Sequence, residues 1–343
     1  MSMPANWEPP YPSWICELGE GPAEIAVAYL GLQHSRSYDP AADHARVSEI
    51  LGSENGPDHV TRAHYRDASN YENAVRICYW RDPQRQRRFV RSRAFDSWWS
   101  SPERLTEDIG LWWEGFTIPL RRAETLFSSP QPEGLARMKS GMAGPVREHA
   151  YPGGMRDRIP DSPRDRFETP HKEPLKRAVS AVSRGARLHV TLPENACLIC
   201  SGQNWSDCSR DELAVYLDVV QPNLRAGMDF LRDHPVETGC LSCRFMDETD
   251  ESGRNITKSF GAVLFLSMEH LESWTWSHPT HRAIFQSFHE LVKARDFKLD
   301  LKLWHEVFVL SAATSRFEYL NCHPRTGLLP FFPPTAAAVS LEA

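Results

Sequence analysis

No run of about 18 apolar residues occurs in the 343-residue chain, so no helix is expected to span a membrane. Glycine-rich phosphate loops of the GxGxxG or GxxxxGK type are missing, as is HExxH, and nucleotide-driven or zincin chemistry has no support. Ser201 has no GxSxG elbow around it, which argues against a hydrolase nucleophile. A basic surplus is missing too. The 39 Lys and Arg stand against 45 Asp and Glu, a net charge of −6, and no nucleic-acid partner is expected. The opening MSMPANWEPPYPSW has neither a basic n-region nor an apolar h-region, so a cytoplasmic setting is expected and the 8 cysteines read as thiols. The closing SLEA (340–343) reads equally as native sequence or as a cloning remnant.

What is present suits a soluble globular protein. Hydrophobic residues make up 41% and charged residues 24%, enough for a sizeable core. At roughly 150 residues per domain the length suggests about two domains. The first dozen residues hold four prolines and read as an extended arm. EIAVAYLGLQ (24–33) reads as a strand and residues 41–51 as a helix. HVTRAHYRDA and NAVRICYWRD read as half-buried strands from their alternation. QRQRRFVRS and FDSWWSSPERL read as short helices. This βαββα order with a closing strand is the ferredoxin-like pattern.

Residues 128–186 break the rhythm with eight Pro, six Gly and eleven Lys or Arg. They read as an ordered crossover that carries site residues. Beyond it the pattern returns. RLHVTL and NACLIC read as a strand pair, and SRDE at Ser209 as a capping box with Glu212. The helix that follows has its apolar residues spaced by three or four, with a kink expected near 218–221 ahead of Pro222. Two strands, two helices and the strands LKLWHEVFVLS and SRFEYLNCH close the second half. ENACLICSGQ (194–203) echoes 24–33, and LESWTWS (271–277) echoes FDSWWSS (95–101), in the same order. The expected organisation is an α+β duplication: 1–127, a crossover at 128–186, and 187–343.

Several residues could carry chemistry. In SHPTHRAIF, His281 falls early in a helix on the face of Ile284, Phe285 and Phe288. An imidazole there could ligate iron, although a satisfied core histidine is the ordinary outcome. His305 alternates with Val307 and Val309 on a strand, a candidate acid/base or again a core histidine. Ser201 ends a strand and could bond a ligand or simply serve a turn. Arg156 and Arg158 could clamp an oxygen from the crossover or be solvated. CLIC at 197–200 and CLSC at 240–243 have knuckle-like spacing, but residues three apart on a strand face opposite sides, so no zinc is expected.

Eight stretches in order resemble the aldoxime dehydratases, a family of haem proteins that act on phenylacetaldoxime or aliphatic aldoximes. They are YLGLQ (29–33), ETLF (124–127), HAYPGGMRDRIP (149–160), SGQNW (201–205), GMDFLRD (227–233), SHPTH (277–281), WHEV (304–307) and EYLNCHPRTG (318–327). The resemblance implies dehydration of R–CH=N–OH to R–C≡N, with haem b, ferrous in the active form, binding the substrate nitrogen. It implies His281 as proximal ligand, with His278 as its near neighbour. It implies His305 as distal acid/base, Ser201 as a hydrogen-bond donor to the oxime oxygen, and Arg158 and Glu124 completing the distal network. It implies a homodimeric α+β barrel of two ferredoxin-like units. The alternative is a haem peroxidase or a chlorite-decomposing enzyme of the same barrel class.

Overall fold

The computed structural model describes residues 2–17, 23–138, 141–177 and 182–336; the SLEA tail lies outside them. Its strands are β1 (Ile15–Glu17), β2 (Glu24–His34), β3 (His59–Arg66), β4 (Glu72–Trp80), β5 (Gly110–Pro119), β6 (Ala123–Phe127), β7 (Gly141–Ala143), β8 (Arg187–Val190), β9 (Cys197–Asn204), β10 (Cys240–Thr249), β11 (Asn255–Phe265), β12 (Lys302–Val309), β13 (Ser315–Leu320) and β14 (Thr335–Ala336). Its α-helices are α1 (Ala41–Leu51), α2 (Pro83–Val90), α3 (Arg93–Trp99), α4 (Gly154–Asp157), α5 (Arg210–Val215), α6 (Gln221–Asp233), α7 (Pro235–Thr238), α8 (Met268–Ser277) and α9 (Pro279–Ala294).

The chain forms two compact units. The first gathers Gly21–Pro119, Lys176–Leu192 and Ser311–Ala343. Its β2–α1–β3–β4–α2–α3–β5 run folds into antiparallel strands in the order β5-β2-β4-β3, extended past β5 by β13, β8 and β14. Asp82 caps α2 by accepting from Gln84 N, with Pro83 in the first turn, and Ser92 caps α3 by accepting from Phe95 N. These helices bury Phe89, Phe95, Trp98 and Trp99 against Trp80 and Trp113. Phe95 stacks on Trp99 at 5.7 Å and meets Trp113 edge-on at 5.2 Å. NAVRICYW is buried along its whole length rather than half-buried, because β4 is an inner strand between β2 and β3.

The second unit gathers Met1–Glu20, Leu120–Leu175 and Pro193–Leu310. It repeats the order: β9–α5–α6–β10–β11–α8–α9–β12, with strands β10-β11-β9-β12 and β6 at the edge beyond β12. The two units share a packing detail. Trp112 on β5 lies over Gly31 of its register partner β2, and Trp304 on β12 lies over Gly202 of β9. A Cβ would meet the indole at 1.9 Å in the first case and 2.2 Å in the second, so only glycine admits the ring.

Four local expectations are revised. RLHV does not pair with NACLIC; β8 joins β13 and β14 while β9 lies between β11 and β12. SRFEYL pairs with β5 in the first unit instead of closing the second. The irregularity before Pro222 is a π-helical turn over Tyr216–Val220, which absorbs the missing proline N–H without ending the helix. Ser209 caps α5 by accepting from Glu212 N, but Glu212 does not return the bond. Its buried carboxylate accepts from the backbone N–H groups of Asp300 and Leu301, tying the helix to the approach of β12.

Candidate active site

The helix-covered face of the second unit carries the site. Register alignment puts His305 opposite Ser201, Ser201 opposite Gly261, and Gly261 opposite Phe245, and paired residues in antiparallel strands point to the same face. Val307, Val309, Ile199 and Val263 share that side with apolar groups of α6, α8 and α9, including Met228, Leu271, Trp274 and Ile284. Gly261 leaves the row flat. A Cβ there would lie 2.4 Å from Cε of Met228 above it.

Edge strand β6 runs antiparallel to β12, with Glu124 opposite Val307 and Leu126 opposite His305. Glu124 and His305 are therefore diagonal neighbours on one face. Glu124 Oε1 is 2.9 Å from His305 Nε2, and its Oε2 accepts from Arg158 Nε at 2.7 Å. Arg158 Nη2 is 3.1 Å from the same His305 Nε2. Arg158 Nη1 donates to the carbonyl of Glu148 at 2.5 Å. The side chains of Glu124 and Arg158 are 1% and 7% exposed, whereas His305 keeps 24%. The ion pair is thus sealed and the imidazole remains approachable. Burial works to raise the Glu124 pKa, but the charges of Arg158 and then His305 prevail and hold it below the ordinary carboxylate value.

Arg158 arrives from the crossover. Gly153 takes φ +86°, a conformation open to glycine, and turns the chain into the single turn of α4, which ends at Arg158. Arg156, two residues earlier, points elsewhere and grips Glu272 with two bonds of 2.9 and 2.6 Å. A cavity of about 370 Å³ opens beside the pair, lined by Glu124, Thr125, Glu148, Asp157 and Arg158 with Ile15, Leu135 and Val146 among its apolar walls.

His281 lies in the first turns of α9. Its ring meets Trp274 edge-on at 4.8 Å, and burial favours its neutral form, pushing its pKa below the ordinary value. The backbone carbonyl of Thr275 takes its one N–H. The other nitrogen therefore carries a lone pair, the state a metal requires. His278 is differently engaged. It caps α9, with Nδ1 2.8 Å from Thr280 Oγ1 and facing Thr280 N at 3.3 Å, and its ring packs on Phe230 at 4.3 Å. The expected apolar face is narrower than the spacing suggests: Ile284 packs inward while Phe285 is 62% exposed. The eight cysteines are thiols outside any disulfide, with Cys197, Cys200 and Cys240 buried among the apolar groups of the sheet.

Glu124, Arg158 and His305 are thus in direct contact, Ser201 is the register neighbour of His305, and His281 stands on a helix of the same unit. The Glu148 carbonyl as a partner of Arg158 is not legible in residue types, because a backbone acceptor leaves no mark there.

The family model for haem-containing dehydratases matches residues 28–328. The chain belongs to this family. Phenylacetaldoxime dehydratase of Bacillus sp. (strain OxB-1) is 38% identical over 96% of this chain and 94% of its own length. Aliphatic aldoxime dehydratase of Rhodococcus erythropolis is 35% identical over 95% and 92%. A crystal structure of an aldoxime dehydratase in complex with butyraldoxime superposes with a TM-score of 0.90 at 33% identity, covering 97% of this chain and 92% of that one. These dehydratases thus match both sequence and fold from end to end.

Proposed function

We propose that this haem-containing dehydratase converts aldoximes, R–CH=N–OH, to nitriles and water, with His305 as acid/base. The observation that carries the assignment is the Glu124–Arg158–His305 contact in one buried corner of a chain related over its length to aldoxime dehydratases. The cofactor reading rests on donor chemistry: His281 is an imidazole on α9 whose neutral form burial favours, and α9 packs through Ile284 against the apolar cluster on the His305 side of the sheet. His281 would hold the iron. Haem b, when bound in its ferrous form, supplies an electron-rich iron to which an oxime nitrogen can ligate.

The chain's own part is proton handling. Hydroxide leaves poorly, so N–O cleavage needs a proton at the oxygen. His305 gives that proton, the hydroxyl departs as water, and the ring takes the carbon-bound proton as the nitrile forms. The imidazole ends as it began. Its Nε2 has two partners, and it can donate to Glu124 or accept from Arg158 but not both at once. Each protonation state therefore meets a waiting partner, and little reorganisation accompanies the cycle. Ser201, opposite His305, is the donor for the oxime oxygen.

The strand order shared by both units supports reading each as ferredoxin-like and the pair as a duplication. A homodimer and a cytoplasmic location belong to the same reading.

Two variants test it. His281→Ala is expected to abolish the haem Soret band. His305→Ala is expected to keep it and to lose about 10²–10⁴-fold in nitrile formation from an aldoxime. Full turnover in both ends the assignment.

A further inference from the structure

The arm formed by residues 2–17 is not used by the chemistry above, yet it touches both elements that bring the buried pair together. On the β6 side, Trp14 N donates to Phe127 O at 2.9 Å and Phe127 N returns a bond to Trp14 O at 2.8 Å. Cys16 N donates to Thr125 Oγ1, one residue from Glu124, at 2.8 Å. On the crossover side the contacts converge on the neighbours of Arg158. Ser2 N and Met3 N donate to Asp157 Oδ2 at 2.6 and 3.1 Å, and Tyr151 OH donates to the same oxygen at 3.0 Å. Ser2 also packs on Gly153, where a Cβ would lie 2.6 Å from its Oγ.

A second anchor lies at His149, which follows the residue whose carbonyl receives Arg158 Nη1. Trp7 Nε1 donates to the His149 carbonyl at 3.0 Å, and Tyr11 packs on the His149 ring at 5.2 Å. Trp7 stacks edge-on against Tyr151 at 5.6 Å, and Val146 N donates to Ser13 O at 2.8 Å. Among the described residues from 141 to 158 the crossover has the one helical turn of α4 and one three-residue strand pair, β1 with β7. Within that turn Arg158 N is held by a bond of 3.2 Å to Gly154 O, so the precision of its three side-chain contacts depends on what packs against the segment.

We propose that residues 2–16 act as a strap that positions Arg158, with Trp7, Tyr11 and Asp157 as its positioning residues. Arg158 touches His305 and Glu124; Trp7 and Tyr11 bond to and pack on His149 and Tyr151 and act through the 146–158 segment. The strap's effect on turnover rests on the assignment of Arg158 to the reaction, whereas its structural part does not.

The test uses the haem-loaded full chain. Trp7→Ala/Tyr11→Ala is expected to keep the Soret band and to speed amide hydrogen exchange at least tenfold across residues 146–158, leaving α6 and α9 unchanged. Unchanged exchange across 146–158 overturns the strap. The same double variant is expected to lower kcat about tenfold in the parent chain and to have no further effect in an Arg158→Ala background. An equal loss in both backgrounds overturns positioning through Arg158. Faster exchange together with full activity in Arg158→Ala itself sinks the role of Arg158 and spares the strap. Trp7→Phe keeps the ring contact and loses the indole donor, and it is expected to restore most of the exchange protection.

Discussion

At the scale of residues, the site is a contest over one nitrogen. His305 Nε2 lies within hydrogen-bond reach of a carboxylate and a guanidinium that also bind each other. Two depressed pKa values among the candidate site residues contribute to the pH dependence of stability. Burial keeps His281 below its ordinary 6.5, so the unfolded ring binds a proton before the folded one, and stability declines once pH falls below about 6.5. Glu124 is held below its ordinary 4.5 by Arg158 and His305 against the opposing effect of burial. Its contribution is complete above about pH 4.5 and is lost as pH drops through its depressed folded value. Urea midpoints of the apo-protein are expected to decline gently from pH 6.5 to 4.5 and steeply below. His281→Ala should make the upper part shallower without abolishing it, because burial also lowers the pKa of His44, His149, His270 and His323. An unchanged slope between pH 6.5 and 4.5 in His281→Ala contradicts the His281 argument.

At the scale of elements, the repeated indole-over-glycine contact makes a firm demand. Gly202→Ala places a methyl 2.2 Å from a rigid ring that is itself buried, and no flexible chain end can yield. The expected cost is about 1–3 kcal/mol of stability, read from the urea midpoint. Gly141, where a Cβ would meet nothing nearer than an ordinary contact of 3.6 Å, is the control for crowding. The elements also show what sequence can reveal. Strands such as EIAVAYLGLQ and helices such as α9 announce themselves by apolar spacing and caps, and the βαββα order followed from them. The pairing of β8 and β13 did not, because hydrogen-bond partners far apart in sequence leave no local pattern. His305 and His281 stood out as polar residues within apolar periodicity. Glu124, Ser201 and Arg158 had no such contrast, and their roles came only through resemblance. Asp157 and His149 were invisible as anchors, since their partners lie more than a hundred residues away.

At the scale of the whole molecule, one strand order serves two unequal units. The first spends its helix-covered face on aromatic packing around Trp80, Trp98, Trp99 and Trp113. The second keeps a row with a serine, a glycine and a histidine on the corresponding face. The same strand order thus carries a face filled by large rings in one unit and a face with small and polar side chains in the other.

That inequality lets the two units be followed separately. The 11 tryptophans divide five to six between them, so whole-chain emission reports both, whereas amide exchange along β2 and β4 reports the first unit alone and along β9 and β11 the second. Heating the holoenzyme while following exchange in the two sets of strands side by side therefore resolves whether the halves melt as one body or in succession. Superimposable curves would mean that the two copies, for all their divergence in content, still share a single cooperative fate.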